Sequence, residues 1–242
     1  PTGLVGSEMC IRDRAKPGSI EKFEAAPPGK IHKEAGYAAM TWNLDESLGQ
    51  ILQALEKLDI KDNTYVVFMS DNGAPGNRRR PNNTPLYAGK GTLYEGGIRV
   101  PLIISGPGLE TGYSPTAVSG TDLFATFATW AGAAIESNES EDLSPLLKGQ
   151  PEQFERHHAL LFHYPHYGKG RNPEPQTALL SGEWKLLRNW ESDSNKLFNL
   201  RSDLSERNDL SSTQPDILND MLTAMEKRLR EVDAQLPSLN PH

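Results

Sequence analysis

The stretch Tyr65-Val66-Val67-Phe68-Met69-Ser70-Asp71-Asn72-Gly73 decides the fold of this 242-residue chain. Five largely apolar residues in succession read as a buried strand, and Asp-Asn-Gly behind them is turn chemistry. Sheets of the α/β class collect ligands at the carboxyl ends of their strands, so Asp71 and Asn72 stand where a site would be built. A carboxylate and an amide carbonyl are hard oxygen donors that suit Ca²⁺ or Mg²⁺ far better than Zn²⁺. Downstream, Gly89-Lys90-Gly91 isolates one lysine among residues without side chains, which lets the backbone approach a ligand closely. At about 4 Å and an effective dielectric near 20, each unit charge pair contributes about 4 kcal/mol before desolvation is subtracted. Asp71 and Asn72 as metal ligands and Lys90 as an anion partner would together hold a sulfate or phosphate ester; each piece alone reads as an ordinary turn.

Upstream of the strand, Tyr37, Met40, Leu44, Leu48, Ile51, Leu52, Leu55 and Leu58 recur at helical spacing, which predicts an amphipathic helix packed on the sheet. Asp62-Asn63 turns that helix into the strand. Downstream, Leu102-Ile103-Ile104-Ser105 before Gly106-Pro107-Gly108 predicts a second buried strand. Asp122 is placed to cap a core helix over Leu123–Ala131. The acidic stretch Glu136 to Glu141 reads as an exposed loop, with a subdomain boundary near residue 150. Beyond it, Ala159–Phe162, Thr177–Leu180, Trp184–Leu187 and Lys196–Leu200 read as short strands, one pair joined by the turn Ser181-Gly182-Glu183. Thr213 with Asp216 reads as a capping box for a last helix with the apolar stripe Ile217, Leu218, Met221, Leu222, Met225, Leu229. Met40, Met221 and Met225 read as core fillers. The order of elements places the chain in the α/β class, with a mixed-sheet portion followed by a small α+β subdomain.

The formal charge of −7 and a pI near 5.4 argue against nucleic acid or an anionic membrane surface as partner, so an anionic substrate has to be attracted locally. The longest largely apolar run, Leu123 to Ile135, falls short of the roughly 18 residues of a membrane span. A single cysteine, Cys10, excludes an internal disulfide framework.

The string Asn83-Thr84-Pro85-Leu86-Tyr87-Ala88-Gly89-Lys90-Gly91-Thr92-Leu93-Tyr94-Glu95-Gly96-Gly97-Ile98-Arg99-Val100-Pro101, behind Ser70-Asp71-Asn72-Gly73, closely resembles the C-terminal half of the sulfatase catalytic domain in the alkaline phosphatase superfamily. Tyr37-Ala38-Ala39-Met40, Asn43-Leu44-Asp45, His163-Tyr164-Pro165-His166-Tyr167 and Gly182-Glu183-Trp184-Lys185-Leu186 extend the likeness, which points to bacterial-type carbohydrate sulfatases. The resemblance implies that Asp71 and Asn72 are two of the family's Ca²⁺ ligands and that Lys90 is its catalytic, sulfate-binding lysine. Tyr87 departs from the Pro-Leu-Arg-Gly-Gly-Lys string of many relatives. The resemblance also implies a formylglycine nucleophile made from the Cys or Ser of a C-x-P-S-R motif, which this chain lacks: Cys10 lies in Cys10-Ile11-Arg12-Asp13-Arg14, without the Pro and Ser, and only 61 residues before Asp71. The upstream aspartate pair that completes the family's Ca²⁺ site is absent too.

The expectation is therefore a C-terminal piece of a sulfatase acting on sulfated carbohydrate or another sulfate ester, inactive alone, from a protein that is periplasmic or extracellular. Residues 1–14 are expected to be a non-native leader, 15–150 the C-terminal part of the catalytic domain, and 151–242 the small subdomain. Two alternatives stand beside it: a phosphoester hydrolase of the same superfamily, and a non-catalytic protein that binds sulfated glycans. His163 and His166 read either as structural histidines or as substrate-binding residues of the subdomain. His157, His158 and His32 carry little weight. Arg78-Arg79-Arg80-Pro81 reads as a solvated loop that could touch a polyanion, and Glu95 and Arg99 as structural residues that orient the Lys90 loop.

Overall fold

The structure, a computed structural model, describes residues 15–29, 33–74, 83–133, 135, 139–167 and 174–238. Cys10, the expected leader 1–14, His32 and Arg78-Arg79-Arg80-Pro81 lie outside the described residues. Residues 1–66 and 67–242 form two compact units.

In the first unit, α1 (Ser19–Glu24) packs along α2 (Ala35–Lys57). Asn43 joins them, accepting from the Lys16 backbone N–H at 2.8 Å and donating to Ser19 Oγ at 3.0 Å. The rings of Phe23 and Trp42 meet edge-on at 6.1 Å, and the Lys22 ammonium lies 3.5 Å from the Trp42 ring centre. The helical periodicity places α2 within two residues of its observed start, but its stripe is only partly used. Ala39, Met40 and Asn43 are buried, whereas Ile51 and Leu58 remain 55% and 66% exposed. Within its own unit the short α1 is the helix that packs on α2, too short to cover a 23-residue helix along its length.

The second unit opens on β1 (Val66–Met69), which pairs with β2 (Leu102–Ser105), both within a residue of expectation. Between them lies the four-residue helix α3 (Glu95–Ile98). Helix α4 (Asp122–Trp130) departs from the expected core helix in both cap and packing. Asp122 makes no cap bond to its own helix: its carboxylate accepts the backbone N–H groups of Ser119 and Glu141 at 2.6 and 2.9 Å and pairs with Arg156 at 2.6 Å. The helix buries Asp122, Ala125 and Thr126 and leaves Phe124 62% exposed; its inward side is tied to the segment that follows, Thr126 Oγ1 accepting Leu143 N–H and Trp130 Nε1–H donating to Ser144 Oγ, both at 3.0 Å.

After α5 (Ser144–Leu147), the strands β3 (Leu160–Tyr164), β4 (Gln176–Ser181), β5 (Trp184–Asn189) and β6 (Ser194–Asn199) form an antiparallel meander in that order. Its register sets Leu179 opposite Leu186, and Leu186 opposite Leu197. The β4–β5 hairpin turns on Gly182, whose φ of +56° is the left-handed region open to glycine. Side chains alternate across the sheet, so Leu179, Leu186 and Leu197 share one face, which α6 (Pro215–Glu231) covers with Met221, Met225 and Leu229. Ala178, Leu187 and Phe198 share the other face, covered in part by Leu93 and Tyr94 of the glycine-rich loop. The expected capping box at α6 does not form: the residue before the helix is Gln214, which makes no side-chain cap bond, Pro215 takes the first helical position, and Thr213 Oγ1 bonds Leu210 O instead.

Candidate functional site

Asp71 and Asn72 stand at the carboxyl end of β1, Asp71 exposed and Asn72 half-buried. Ser70 fixes the turn, its N–H donating to Pro101 O at 3.2 Å and its Oγ to Asn72 O at 2.9 Å. The next residue, Gly73, donates its N–H to Gly97 O at 2.9 Å and packs so closely on α3 that a Cβ there would fall 1.7 Å from Gly96 O. A Cβ on Gly96 would fall 2.2 Å from Tyr87 O. These glycines are therefore required by backbone contact with backbone, which no side chain can share.

The Lys90 loop meets the same place. Lys90 N–H donates to Ala74 O at 3.2 Å and Gly96 N–H to Tyr87 O at 2.9 Å. The Asn83 side chain bridges Ala74 on both its N–H and C=O, and reaches Ala88 O at 2.9 Å. The three residues singled out in the sequence are thus gathered on one backbone framework, and among the described residues no hydrogen bond or ion pair engages their side chains. Tyr87, where an arginine was the alternative, packs edge-on against Tyr94 at 4.8 Å, and Tyr94 continues to Phe198 at 6.3 Å.

His163 and His166 occupy different settings. The Trp190 indole N–H donates to Thr177 Oγ1 at 2.8 Å, and that hydroxyl meets His163 Nδ1 at 2.7 Å. His163 Nε2 lies 2.8 Å from Gln235 O, an acceptor only, so Nε2 carries the proton and Nδ1 receives the Thr177 hydroxyl. Both ring nitrogens of His163 are thereby engaged, by Thr177 and Gln235. His166 is exposed and meets the Tyr164 ring edge-on at 5.5 Å. His157 pairs with Glu141 at 3.1 Å, and that hydrogen bond and the nearby negative charge raise its pKa above the ordinary histidine value.

Glu95 is structural, as its setting in the turn suggests: it is buried and lies 3.4 Å from Arg99. Sequence reasoning missed its other partners. The Lys185 ammonium, without solvent exposure, lies 2.9 Å from Glu95 Oε1 and 2.8 Å from Glu206 Oε1. The second contact is off the angle of a good hydrogen bond and counts as an ion pair. The signal was present in the period-2 pattern, which puts Lys185 on the same face as Leu187 and between the apolar Trp184 and Leu186.

Chemically, Asp71 and Asn72 supply two oxygen donors of the type that Ca²⁺ takes, against the six to eight donors it needs. Among the described residues no group of three or more His, Cys, Asp or Glu could hold a metal ion. The donor type fits Ca²⁺, and the number falls short of a complete site.

Two family models cover the chain: the sulfatase model over residues 14–133, and the model of the N-sulphoglucosamine sulphohydrolase C-terminal region over residues 86–235. A sulfatase of Formosa agariphila is 35% identical over 82% of this chain, and the rat steryl-sulfatase 36% identical over 53%. The crystal structure of Ps i-CgsB in complex with k-i-k-neocarrahexaose superposes with a TM-score of 0.72 at 30% identity, covering 96% of this chain and 50% of that one. A phosphonate monoester hydrolase from Silicibacter pomeroyi shares the fold, with a TM-score of 0.60 at 21% identity. The chain spans 39% of the Formosa sulfatase and 24% of the rat enzyme. Motif, fold and family models agree: the chain belongs to the sulfatase family and corresponds to its C-terminal part.

Proposed function

We propose that this chain is the C-terminal portion of a sulfatase that hydrolyses sulfate esters of carbohydrate, with Asp71 and Asn72 contributing to a Ca²⁺ site and Lys90 binding the sulfate. The observation that supports the reading is the backbone framework of Gly73, Ala74, Gly96 and Lys90, which ties the segment following Asp71 and Asn72 to the loop that carries Lys90. The carbohydrate assignment draws on the neocarrahexaose complex of Ps i-CgsB. Ca²⁺, when bound, would supply positive charge against a sulfate oxygen. The Lys90 ammonium would hold a second oxygen and offset charge that develops as the ester bond breaks. The nucleophile, a formylglycine, and the remaining Ca²⁺ donors would come from outside these 242 residues, so the chain alone would not turn over sulfate esters. His166 would meet the sugar, and His163, with both nitrogens engaged, would hold the strand that presents it.

The apolar surface of the second unit supports the same reading, since Ile103 in β2 and Phe124 in α4 are 61% and 62% exposed. In the longer protein the upstream part of the chain would pack on these residues. A periplasmic or extracellular location is proposed for the full-length protein, and among the described residues no helix is long and apolar enough to cross a membrane. The line near residue 150 is proposed as the end of the catalytic-domain part, with limited proteolysis as its check.

The test is twofold. Extension of the coding sequence upstream should reach a C-x-P-S-R or S-x-P-S-R motif, and the longer protein should hydrolyse an aryl sulfate in a Ca²⁺-dependent manner that Lys90→Ala lowers at least a hundredfold. A native start immediately upstream, with binding of sulfated glycan and no turnover, would replace the enzyme by a glycan-binding protein.

A further inference from the structure

A lysine with no solvent exposure, in the middle of a sheet, needs a reason. Replacing a buried ionic cluster by apolar groups of similar volume is often neutral or stabilising, because desolvation cancels most of the Coulomb gain. What such a cluster does impose is geometry, since each charge must meet its partners in one arrangement. Lys185 on β5 lies between Glu95 and Glu206, and Glu206 Oε2 also accepts the Glu95 backbone N–H at 2.6 Å. Glu206 therefore grips the first residue of α3 by its main chain while Lys185 holds the side chain of that same residue. Glu206 itself has a φ of +50°, a conformation uncommon outside glycine, so its place is set by these contacts and not by local preference.

What α3 carries makes the grip consequential. Gly97 O receives Gly73 N–H, Gly96 O lies against Gly73 Cα, and Gly96 N–H binds Tyr87 O. Asp71 and Asn72 precede Gly73 directly, and Lys90 follows Tyr87 by three residues. A shift of α3 would stretch the Gly73 N–H to Gly97 O and Gly96 N–H to Tyr87 O bonds, both 2.9 Å, and would so act on both segments.

We propose that Lys185 and Glu206 are positioning residues that lock α3, and through it set the Asp71–Asn72 turn and the Lys90 loop in register for an anionic ester. The two reach Glu95 from 90 and 111 residues away, so the C-terminal sheet sets the geometry of the loop-borne site. The ligand assigned to that site rests on the sulfate-ester reading above; the positioning does not.

The experiment uses the whole 242-residue chain, isotope-labelled, with amide hydrogen exchange and amide chemical shifts recorded for Lys185→Met and for the milder Glu206→Gln, which keeps an acceptor for the Glu95 N–H. The expected result is exchange at least tenfold faster, with displaced resonances, at Gly73, Lys90 and Gly96, while amides of the β4–β5 and β5–β6 ladders change less than twofold. That pattern in either variant supports the positioning role. Exchange at the loop that changes less than twofold in both variants, or that rises in both only in step with the sheet, overturns it in favour of a purely structural cluster. Titration with inorganic sulfate separates the two ideas. Resonances around Lys90 that shift with sulfate in the wild type, and need about tenfold more sulfate in Lys185→Met, support both. Sulfate that leaves the Lys90 region unmoved in the wild type counts against the sulfate-ester reading, and the exchange result still decides the positioning role.

Discussion

The two faces of the four-stranded sheet are held by different physics. On the α6 side, Leu179, Leu186 and Leu197 meet Met221, Met225 and Leu229, all apolar and all from within 51 residues of one another. On the other side, Ala178, Leu187 and Phe198 meet Leu93 and Tyr94, and beside them Lys185 meets Glu95 and Glu206. Apolar burial is non-directional, and it tolerates a small slide of the helix with little loss. The ionic side is directional, and a slide there would lengthen the contacts of Lys185 with Glu95 and Glu206. The sheet is therefore anchored through one face and does its aiming through the other.

The largest expected effect lies on the anchoring face. Leu186→Ala removes a side chain with no exposure between β4, β6 and α6, and should lower stability by about 3 kcal/mol, read from chemical denaturation followed by tryptophan fluorescence. A loss at the loop alone, with the sheet unaffected, would break the division of labour. Next comes the aiming face: Gly73→Ala places a Cβ against Gly96 O and should cost about 2 kcal/mol, with exchange increased around Lys90 before the sheet ladders respond. Equal loosening of both regions would show that the faces act as one.

Glu206 sharpens the comparison through pH. Burial holds its carboxyl above the ordinary carboxylate value, and Lys185 opposes that shift. A carboxyl whose pKa is higher in the folded state binds its proton better there, so its contribution to stability falls as pH rises from the unfolded value of about 4.5 through the folded one. Glu206→Gln should flatten that part of the stability–pH curve, by at most about 1.4 kcal/mol per pH unit. An unchanged slope would mean that Glu206 is not the titrating group. A smaller effect is a gain. Ala88 has a φ of +60°, so Ala88→Gly relieves backbone strain and should add about 1 kcal/mol if the loop keeps its conformation. The smallest change belongs to neither face: the raised pKa of His157 comes from Glu141, and Glu141→Gln should return it toward the ordinary histidine value in an NMR titration. Its small contribution is present below about pH 6.5 and fades as pH rises through the folded pKa.

Much of this architecture was legible in the residues. Strand β1, strand β2, the four-strand meander with its Gly182 turn and the α6 stripe all follow from periodicity and turn chemistry, because those signals are local. Asp71, Asn72 and Lys90 could be singled out as candidates from a strand end and a glycine-flanked lysine, and the backbone bonds that join their segments could not. The caps at Asp122 and Thr213 were not. Each has the right local grammar, but Asp122 finds stronger partners in Arg156 and the Glu141 N–H, and the last helix starts at Pro215, one residue past the place the box requires, with Thr213 bonded back to Leu210 O. The exposure of Ile51, Leu58 and Phe124 was illegible for another reason: an apolar stripe states that a face is to be covered and is silent on what covers it.

By itself the sequence determined the element order, the alternation that gives the second sheet two buried faces, and the donor types of the candidate site. Those follow from residue-to-residue spacing and from the chemistry of single side chains. Only the tertiary structure decided that Gly73 rests on Gly96, that His163 spends both nitrogens on Thr177 and Gln235, and that Lys185 and Glu206 close on Glu95. The contacts of His163 with Gln235 and of Lys185 and Glu206 with Glu95 join residues 72 or more apart in the chain, and nothing in the spacing of either partner records where the other will arrive.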